Sequence, residues 1–230
     1  MAQFPYREVL GGITWLSVVT CPDLAYAVSQ LGQFSANLGK KHWNALLRVL
    51  RHIQGTQDLA LTLGRVSDAD PDVLTGYMDT SWARDPNDYS SVLGYVFKLG
   101  DATISWSSKK QSSVATSSTE AEYMAMAYST KQVQWLCYLL INIGHLEKRA
   151  PPTSILIDNT GAIALAKEAR FHPCTRHIGV QYHFSRQQVE KGRITFMHVP
   201  TAKMLADSFT KSLVHDGITK LTDGCALCPV

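Results

Sequence analysis

The sequence has few of the features that mark membrane or secreted proteins. None of its apolar runs approaches the roughly 20 residues that a membrane-spanning helix needs. The N-terminus, MAQFPYREVL, lacks the basic-then-apolar layout of a secretion signal. The five cysteines are odd in number and scattered, which does not suggest a disulfide framework. We therefore expect a soluble protein of a reducing, intracellular compartment, with no membrane partner.

The chain also lacks a strong excess of positive or negative charge. The formal net charge is only +3, and the basic surplus lies in residues 73–230. This mild bias permits a polyanionic partner without requiring one. The chain is 45% hydrophobic and 18% charged, so a core of ordinary size can form and disorder is not expected.

The first part of the chain reads as helical. One predicted helix begins at Pro22 and continues through AYAVSQLGQF, and a second runs from about Lys40 to Gln54. The Gly-, Pro- and Asp-rich stretch near residues 64–72 then marks a boundary. We predict a helical part over residues 1–72, a second domain over residues 73–213 and an unassigned tail over residues 214–230.

After the boundary the pattern changes to that of an α/β domain. Residues 73–79 read as a strand, and residues 91–100 and 102–108 read as a hairpin that turns at Gly100 and Asp101. The pattern then predicts a long helix over 119–143, a strand over 155–157 with a following helix, a helix over 179–190, a strand over 194–199 and a helix over 202–213. This order indicates layers of helices on a mixed sheet.

Two aspartates stand where strands of this sheet end. Asp79 closes the first strand, and Asp158 follows the apolar run Ile155–Ile157. In open α/β sheets, ligands bind at the carboxyl ends of the strands. For Asp158 a second interpretation stays open, because an aspartate there can also cap the following helix.

Glu122 is placed by helical geometry. It heads the helical stripe that should pack on the sheet, which contains Met126, Ser129, Val133, Leu136 and Leu140. A carboxylate on a buried stripe must be paired, protonated or bound to a metal. Glu122 could instead form a capping box with Thr119, but Ser117 and Glu120 have the same spacing and could cap the helix without it.

Several converging carboxylates need a compensating cation. Mg²⁺ prefers hard oxygen ligands, and two such ions roughly 4 Å apart can clamp the attacking and leaving oxygens of a phosphodiester. By pattern alone Asp207 is the weakest member of this set, because it lies away from the apolar stripe of its predicted helix and could be a solvated charge.

Seven segments occur in order after the boundary: GYMDTSWA, SVLGYVFKLG, ISWSSKKQ, SSTEAEYMAM, ILIDNTGAIALA, RHIGVQYHFSRQQV and VPTAKMLADSFTKSL. In this order and spacing they resemble the ribonuclease H domain of copia-type retrotransposon polyproteins. The preceding stretch, from PYREVLGG to RHIQGT, is similar to the C-terminal end of the reverse transcriptase of the same polyproteins.

The resemblance implies a fold and an activity. The fold is ribonuclease H-like, with a five-stranded mixed sheet flanked by helices, here preceded by an N-terminal helical appendage. The activity is Mg²⁺-dependent endonucleolytic cleavage of the RNA strand of an RNA–DNA hybrid, with Mn²⁺ as a substitute ion. The catalytic and metal-binding acids of the family map onto Asp79, Glu122, Asp158 and Asp207. Other pieces of the polyprotein are expected partners.

Six polar residues are candidate contacts to nucleic acid: Lys109, Lys110, Ser118, Thr119, Arg176 and His177. The lysines follow the third strand near the expected active edge and could contact phosphates, although they could equally lie in a solvated loop. The Ser118 and Thr119 hydroxyls could reach a 2′-hydroxyl, the group that distinguishes RNA from DNA, or simply cap the helix.

Three other features have plainer interpretations. We expect Trp106 and Trp135 to be core residues rather than stacking platforms. The lone pair Cys225 and Cys228 favours a frayed tail over a zinc site, because no second pair accompanies it.

Two alternatives to an active ribonuclease H remain. One is a catalytically inactive remnant that only binds nucleic acid, since Ser81 and Gly179 stand where many family members carry acids. The other is an integrase or transposase, but such an enzyme places its glutamate after the second aspartate, whereas Glu122 precedes Asp158. No polymerase activity is expected, because the reverse transcriptase palm is absent. The expected location is the cytoplasm, in a virus-like particle, or the nucleus.

Overall fold

The computed structural model describes residues 4–64, 70–85, 87–147, 150–167, 184–212 and 215–229. Its first part contains helices α1 (Tyr6–Val19), α2 (Ala25–Gly32) and α3 (Lys40–Gly55), with a 3₁₀ turn at Pro22–Leu24, and the short strand β1 (Leu59–Leu61). The prediction of two helices was therefore incomplete. In α1 the buried residues recur at helical spacing, but the exposed pair Gly11 and Gly12 lowers the helix propensity and no side chain caps the helix start.

The second part contains the main sheet. Its strands are β2 (Leu74–Ser81), β3 (Val92–Leu99), β4 (Ala102–Lys110), β5 (Thr153–Ile157) and β6 (Ile194–His198). They lie in the order β4-β3-β2-β5-β6, with antiparallel pairing from β4 to β2 and parallel pairing from β2 to β6. This arrangement confirms the predicted five-stranded mixed sheet. The β3–β4 hairpin turns at Gly100, whose φ of 56° suits a residue without a Cβ.

Helices cover both faces of the sheet. The long helix α4 (Ser118–Asn142) packs on one face, followed by α5 (Thr160–Lys167) and α6 (Phe184–Glu190). The stripe predicted for α4 is buried there against the side chains of β2, β3, β5 and β6. Because side chains alternate along a strand, Val96 points to the opposite face, where Phe209 and Leu221 cover it.

The segment after β6 differs from the prediction. Instead of one helix over residues 202–213, it forms two 3₁₀ turns, Thr201–Lys203 and Ala206–Phe209. Its buried residues are consecutive rather than spaced along one stripe: Met204, Leu205, Ala206, Ser208, Phe209 and Thr210. A surface helix buries a single stripe, so a regular helix would not bury this run.

The expectation of a frayed C-terminus is also wrong. The tail forms α7 (His215–Gly224) and β7 (Leu227–Pro229), and β7 pairs antiparallel with β1. Cys225 and Leu227 are buried with Val96, Phe209 and Leu221 on the sheet face opposite α4, in what we call the outer-face cluster. Cys225 therefore acts as an apolar core residue. The paired strands connect the end of the chain to its N-terminal part.

The N-terminal helices have a small core of their own and also contact the main sheet. Tyr6, Leu10 and Leu46 belong to this separate core. The half-buried indole of Trp106 in β4 packs against the outer-face cluster and donates to the carbonyl of Ser17 at 2.7 Å, so it is a packing residue as expected. Trp135 is 56% exposed, so its assignment to the core was wrong. Within the described residues, no helix is long and apolar enough to span a membrane.

Candidate active site

Parallel pairing brings two aspartates to one edge of the sheet. Tyr77 of β2 pairs with Leu156 of β5, so two residues later Asp79 and Asp158 stand at the same level on neighbouring strands. Asp158 does not cap α5, because the Asn159 side chain accepts the hydrogen bond from the Ala162 N–H at 3.0 Å. The capping alternative for Asp158 is therefore not needed.

Helix α4 adds the third carboxylate. One carboxylate oxygen each from Asp79, Glu122 and Asp158 lie within 4.8 Å of one another. Glu122 is only 5% exposed, and the backbone N–H of Thr80 donates to its carboxylate. Its Oε2 atom is buried without a hydrogen-bond partner among the described residues. Such an oxygen is costly unless the carboxyl group is protonated or a cation binds it.

Glu120 points to the start of α4 instead. Its Oε2 accepts from the backbone N–H and the hydroxyl of Thr116, at 2.7 and 2.6 Å. Ser117 caps the helix by accepting from the Glu120 N–H at 3.2 Å. The helix start therefore uses Ser117 and Glu120, and Glu122 is left for the acidic cluster.

Burial and mutual repulsion disfavour charge in this cluster. Burial raises the pKa of Glu122 well above its ordinary value, and the neighbouring charges of Asp79 and Asp158 raise it further. For Asp79, burial is again the main cause, and Asp207 and Asp158 add to it, while the Thr210 hydroxyl opposes the shift. The resulting pKa of Asp79 is about 6. A bound divalent cation would reverse this preference by compensating the charges.

The segment after β6 supplies a fourth acid and two hydroxyls. Asp207 lies close enough to Asp79 to raise its pKa, and its own carboxylate is paired with Lys211 at 2.7 Å. Thr210 donates to Asp79 Oδ2, and Thr201 donates to Asp158 Oδ2 at 2.8 Å. Neither threonine stands out in the sequence, because hydroxyls that serve carboxylates 131 and 43 residues away in the chain leave no local pattern.

Gly94 allows this segment to approach the sheet. It pairs with Asp79 across the β2–β3 ladder. A Cβ at this position would lie 2.6 Å from the Cβ of Phe209 and 3.1 Å from the carbonyl oxygen of Ala206. The absence of a side chain at Gly94 therefore lets the 3₁₀ turn at Ala206–Phe209 lie beside Asp79.

The predicted nucleic-acid contacts have different surroundings. Lys110 binds Asp85 at 2.5 Å and Asp88 at 2.8 Å, so its ammonium group holds the loop between β2 and β3. Lys109 is exposed, with its Nζ 5.1 Å from the centre of the Tyr128 ring. Ser118 and Thr119 lie in the first turn of α4. Arg176 and His177 lie outside the described residues. All six assignments stay predictions.

The acidic cluster fits a hard divalent cation. Three carboxylates supply oxygen ligands at mutually compatible distances, and the buried Glu122 Oε2 has no other partner among the described residues. Magnesium and manganese both favour such oxygen ligands. The residues present can therefore bind a metal at this edge of the sheet.

Known proteins resemble the chain over most of its length. No family model matches the sequence. The retrovirus-related Pol polyprotein from transposon RE2 of Arabidopsis thaliana is 43% identical over 208 residues, which are 90% of this chain and 14% of that protein. The one from transposon RE1 of the same plant is 41% identical over the same shares. The chain belongs to the copia-type Pol polyproteins. It spans only about a seventh of their length, 14% in each case.

Two further proteins are similar to parts of this copia-type chain. Secreted RxLR effector protein 161 of Plasmopara viticola is 47% identical over 136 residues, which are 59% of this chain and 94% of that protein. The solved structure of LC11-RNase H1, isolated from compost by a metagenomic approach, covers 65% of this chain and 97% of its own, with a TM-score of 0.45 and 18% identity.

Proposed function

We propose that this chain is a Mg²⁺-dependent endonuclease that cleaves the RNA strand of RNA–DNA hybrids, as part of a copia-type polyprotein. The observation that carries the proposal is the cluster of Asp79, Glu122 and Asp158, whose oxygens lie within 4.8 Å of one another. The buried Oε2 of Glu122, which has no hydrogen-bond partner in the described part of the chain, supports a bound cation as the missing partner.

Four acids would hold the metal. Asp79, Glu122 and Asp158 form the centre, and Asp207 is the peripheral fourth ligand. When bound, two Mg²⁺ ions would supply positive charge for both the attacking and the leaving oxygen of the phosphodiester. Mn²⁺ would serve in the same site, because it accepts the same ligands.

The chain itself positions these ligands. The Thr210 hydroxyl fixes one oxygen of Asp79, and the Thr201 hydroxyl fixes one oxygen of Asp158. The Thr80 N–H orients Glu122. Lys211 offsets the charge of the Asp207 carboxylate, which lies beside the centre. These contacts hold the acids together despite their repulsion, which is the preorganisation that a phosphodiester hydrolase needs.

The choice of substrate follows from the family and the surface charge. A hybrid is the expected partner of a ribonuclease H region, and the mild basic surplus of residues 73–230 permits a polyanion. Ser118, Thr119 and Lys109 lie at or next to the elements that carry the acids, and we propose them as contacts to the hybrid. Residues 1–72 are proposed as the end of the reverse transcriptase, so primer extension by the chain should be absent.

Cleavage of a labelled hybrid tests the proposal. The full chain with Mg²⁺ should cut the RNA strand and leave duplex DNA nearly untouched, and Mn²⁺ should replace Mg²⁺. Asp158→Asn keeps the size and the acceptor for Thr201 but removes a charged ligand, so it should abolish cleavage. Activity that persists in excess chelator or in this variant would refute the metal-dependent mechanism. A folded chain that binds the hybrid without cutting it would favour the inactive remnant.

A further inference from the structure

Trp82 is an exposed aromatic residue beside the acidic cluster. It follows the last residue of β2 and lies three residues beyond Asp79, so their Cα atoms are at most about 11 Å apart. Its side chain is 48% exposed. Single exposed apolar residues are common on protein surfaces, so its position beside the acidic cluster, and not its exposure alone, points to a role.

The ring of Trp82 is fixed rather than loose. Its Nε1–H donates to the carbonyl of Ala115 at 3.1 Å. Ala115 packs in turn against Ala121 and Met124 in the first turns of α4, on either side of Glu122 in the sequence. The indole therefore joins the strand of Asp79 to the helix of Glu122. Because its single polar atom is satisfied within the protein, the exposed part of the side chain is ring carbon.

The backbone next to Trp82 is strained. Ala83 has a φ of 49°, which residues with a Cβ rarely adopt. The hydroxyl of Ser91 accepts from the Ala83 N–H at 3.2 Å and holds this conformation. Lys110 holds the same loop through Asp85. Strain that the surroundings maintain in this way is common at ligand-binding sites.

A purely structural role explains only part of this arrangement. The Trp82 indole donates to the carbonyl of Ala115, which packs with Ala121 and Met124 in a small apolar cluster. This anchoring does not by itself require an aromatic ring with exposed carbon beside a strained backbone. The anchored indole with an accessible ring is better suited to an aromatic contact.

We propose that Trp82 is a nucleic-acid contact residue, whose ring packs on a nucleotide of the hybrid next to the acidic cluster. This inference rests on the proposed function, since it takes the hybrid as the ligand. Nucleic acids present flat bases and sugars that aromatic rings bind with little sequence preference. Arg84 is exposed two residues later, with Nη1 3.5 Å from the hydroxyl of Ser81, and reaches the phosphate of the same strand.

Equilibrium binding without divalent ions tests the contact independently of cleavage. The full chain is titrated into a fluorescently labelled RNA–DNA hybrid in the presence of chelator. Trp82→Leu keeps an apolar side chain and removes the aromatic ring, so it should weaken binding roughly tenfold. Trp82→Phe keeps an aromatic ring and should stay within about threefold of the unmodified chain.

Trp135 provides a matched control, because it is 56% exposed but lies 13 residues after Glu122 on α4, about 20 Å along the helix. Trp135→Leu should not change binding. Arg84→Gln changes only an exposed side chain and provides a second measurement. It should lower the slope of log Kd against log salt concentration by about one.

The outcomes separate this inference from the proposed function. Equal affinities of Trp82→Leu and Trp82→Phe would overturn the inference and leave Trp82 as structural cover. Absence of hybrid binding by the full chain would overturn it as well. Binding that depends on the ring at position 82, in a chain that never cleaves the hybrid, would support the contact while refuting the nuclease proposal. Should Trp82→Leu fail to fold, Trp82→Phe still tests the inference, because a loss of affinity well beyond about threefold in this variant would overturn it.

Discussion

Removal of one acid should stabilise the metal-free protein. In the folded chain, burial and the nearby Asp207 and Asp158 raise the pKa of Asp79 from 3.8 to about 6. The ionised form of Asp79 therefore opposes folding at neutral pH. The variant Asp79→Asn carries no charge there, and its amide oxygen can still accept the hydrogen bond from Thr210. We expect this variant to lose activity and gain stability when no metal is present.

The size of the gain follows from the pKa of Asp79. The rise of this pKa from 3.8 to about 6 corresponds to about 3 kcal/mol of unfolding free energy, at roughly 1.4 kcal/mol per pKa unit. The sign is that of an acid with a raised pKa: its stabilising protonated form is fully present below pH 3.8 and is lost as the pH rises through 6. The advantage of Asp79→Asn should therefore be full at pH 7.5 and fall to roughly half at pH 5.

Urea unfolding with chelator at pH 7.5 and pH 5 measures this difference. Asp58→Asn is a suitable control, because Asp58 is exposed and outside the cluster, so its effect should stay within about 0.5 kcal/mol. Added Mg²⁺ should stabilise the unmodified chain and not Asp79→Asn, because a ligand that binds only the folded state raises its stability. A variant no more stable than the unmodified chain at pH 7.5, or an advantage that grows towards pH 5, would refute the reasoning.

Three further predictions follow from the contacts around the site. Glu122→Gln should abolish hybrid cleavage and keep the fold. Glu120→Gln should cost at most about 1 kcal/mol of stability and leave cleavage nearly intact, because the partners of Glu120 lie at the helix start. The reverse pattern in a cleavage assay would contradict the structure. Gly94→Ala should cost about 1–3 kcal/mol and weaken Mg²⁺-induced stabilisation, since its Cβ would displace the segment beside Asp79. The control Gly12→Ala, in α1 with open space around it, should be neutral or stabilising in thermal unfolding. Leu227→Ala should cost about 2 kcal/mol or more, because the side chain is buried in the outer-face cluster, and an unfolding midpoint equal to that of the unmodified chain would show that the tail is frayed.

The local sequence pattern predicted the structure correctly where a single helix, strand or turn determines it. The β3–β4 hairpin, the stripe of α4 and the position of Asp158 at the end of an apolar strand all follow from periodicity and turn residues. The choice of Glu122 over Glu120 also follows from the sequence, because helical geometry sends side chains two residues apart to nearly opposite sides. These features depend on neighbours in the chain.

Local pattern failed where distant segments decide the structure. The segment around Asp207 looked like a surface helix with a solvated charge, but close packing at Gly94 and burial of consecutive side chains give 3₁₀ turns instead. The tail looked frayed because its three-residue strand is too short to signal itself, and only the distant β1 gives it a partner.

The sequence by itself determined the five strands of the main sheet, the long helix and the identity of three acids. The tertiary structure decided how those acids are held, since the hydroxyls of Thr201 and Thr210 reach Asp158 and Asp79 from segments far away in the chain. It also decided which charges are costly, because burial of Asp79 and Glu122 is a property of the packed molecule. The physical reason is range: backbone periodicity acts over a few residues, whereas desolvation and carboxylate repulsion depend on every element that meets at the site.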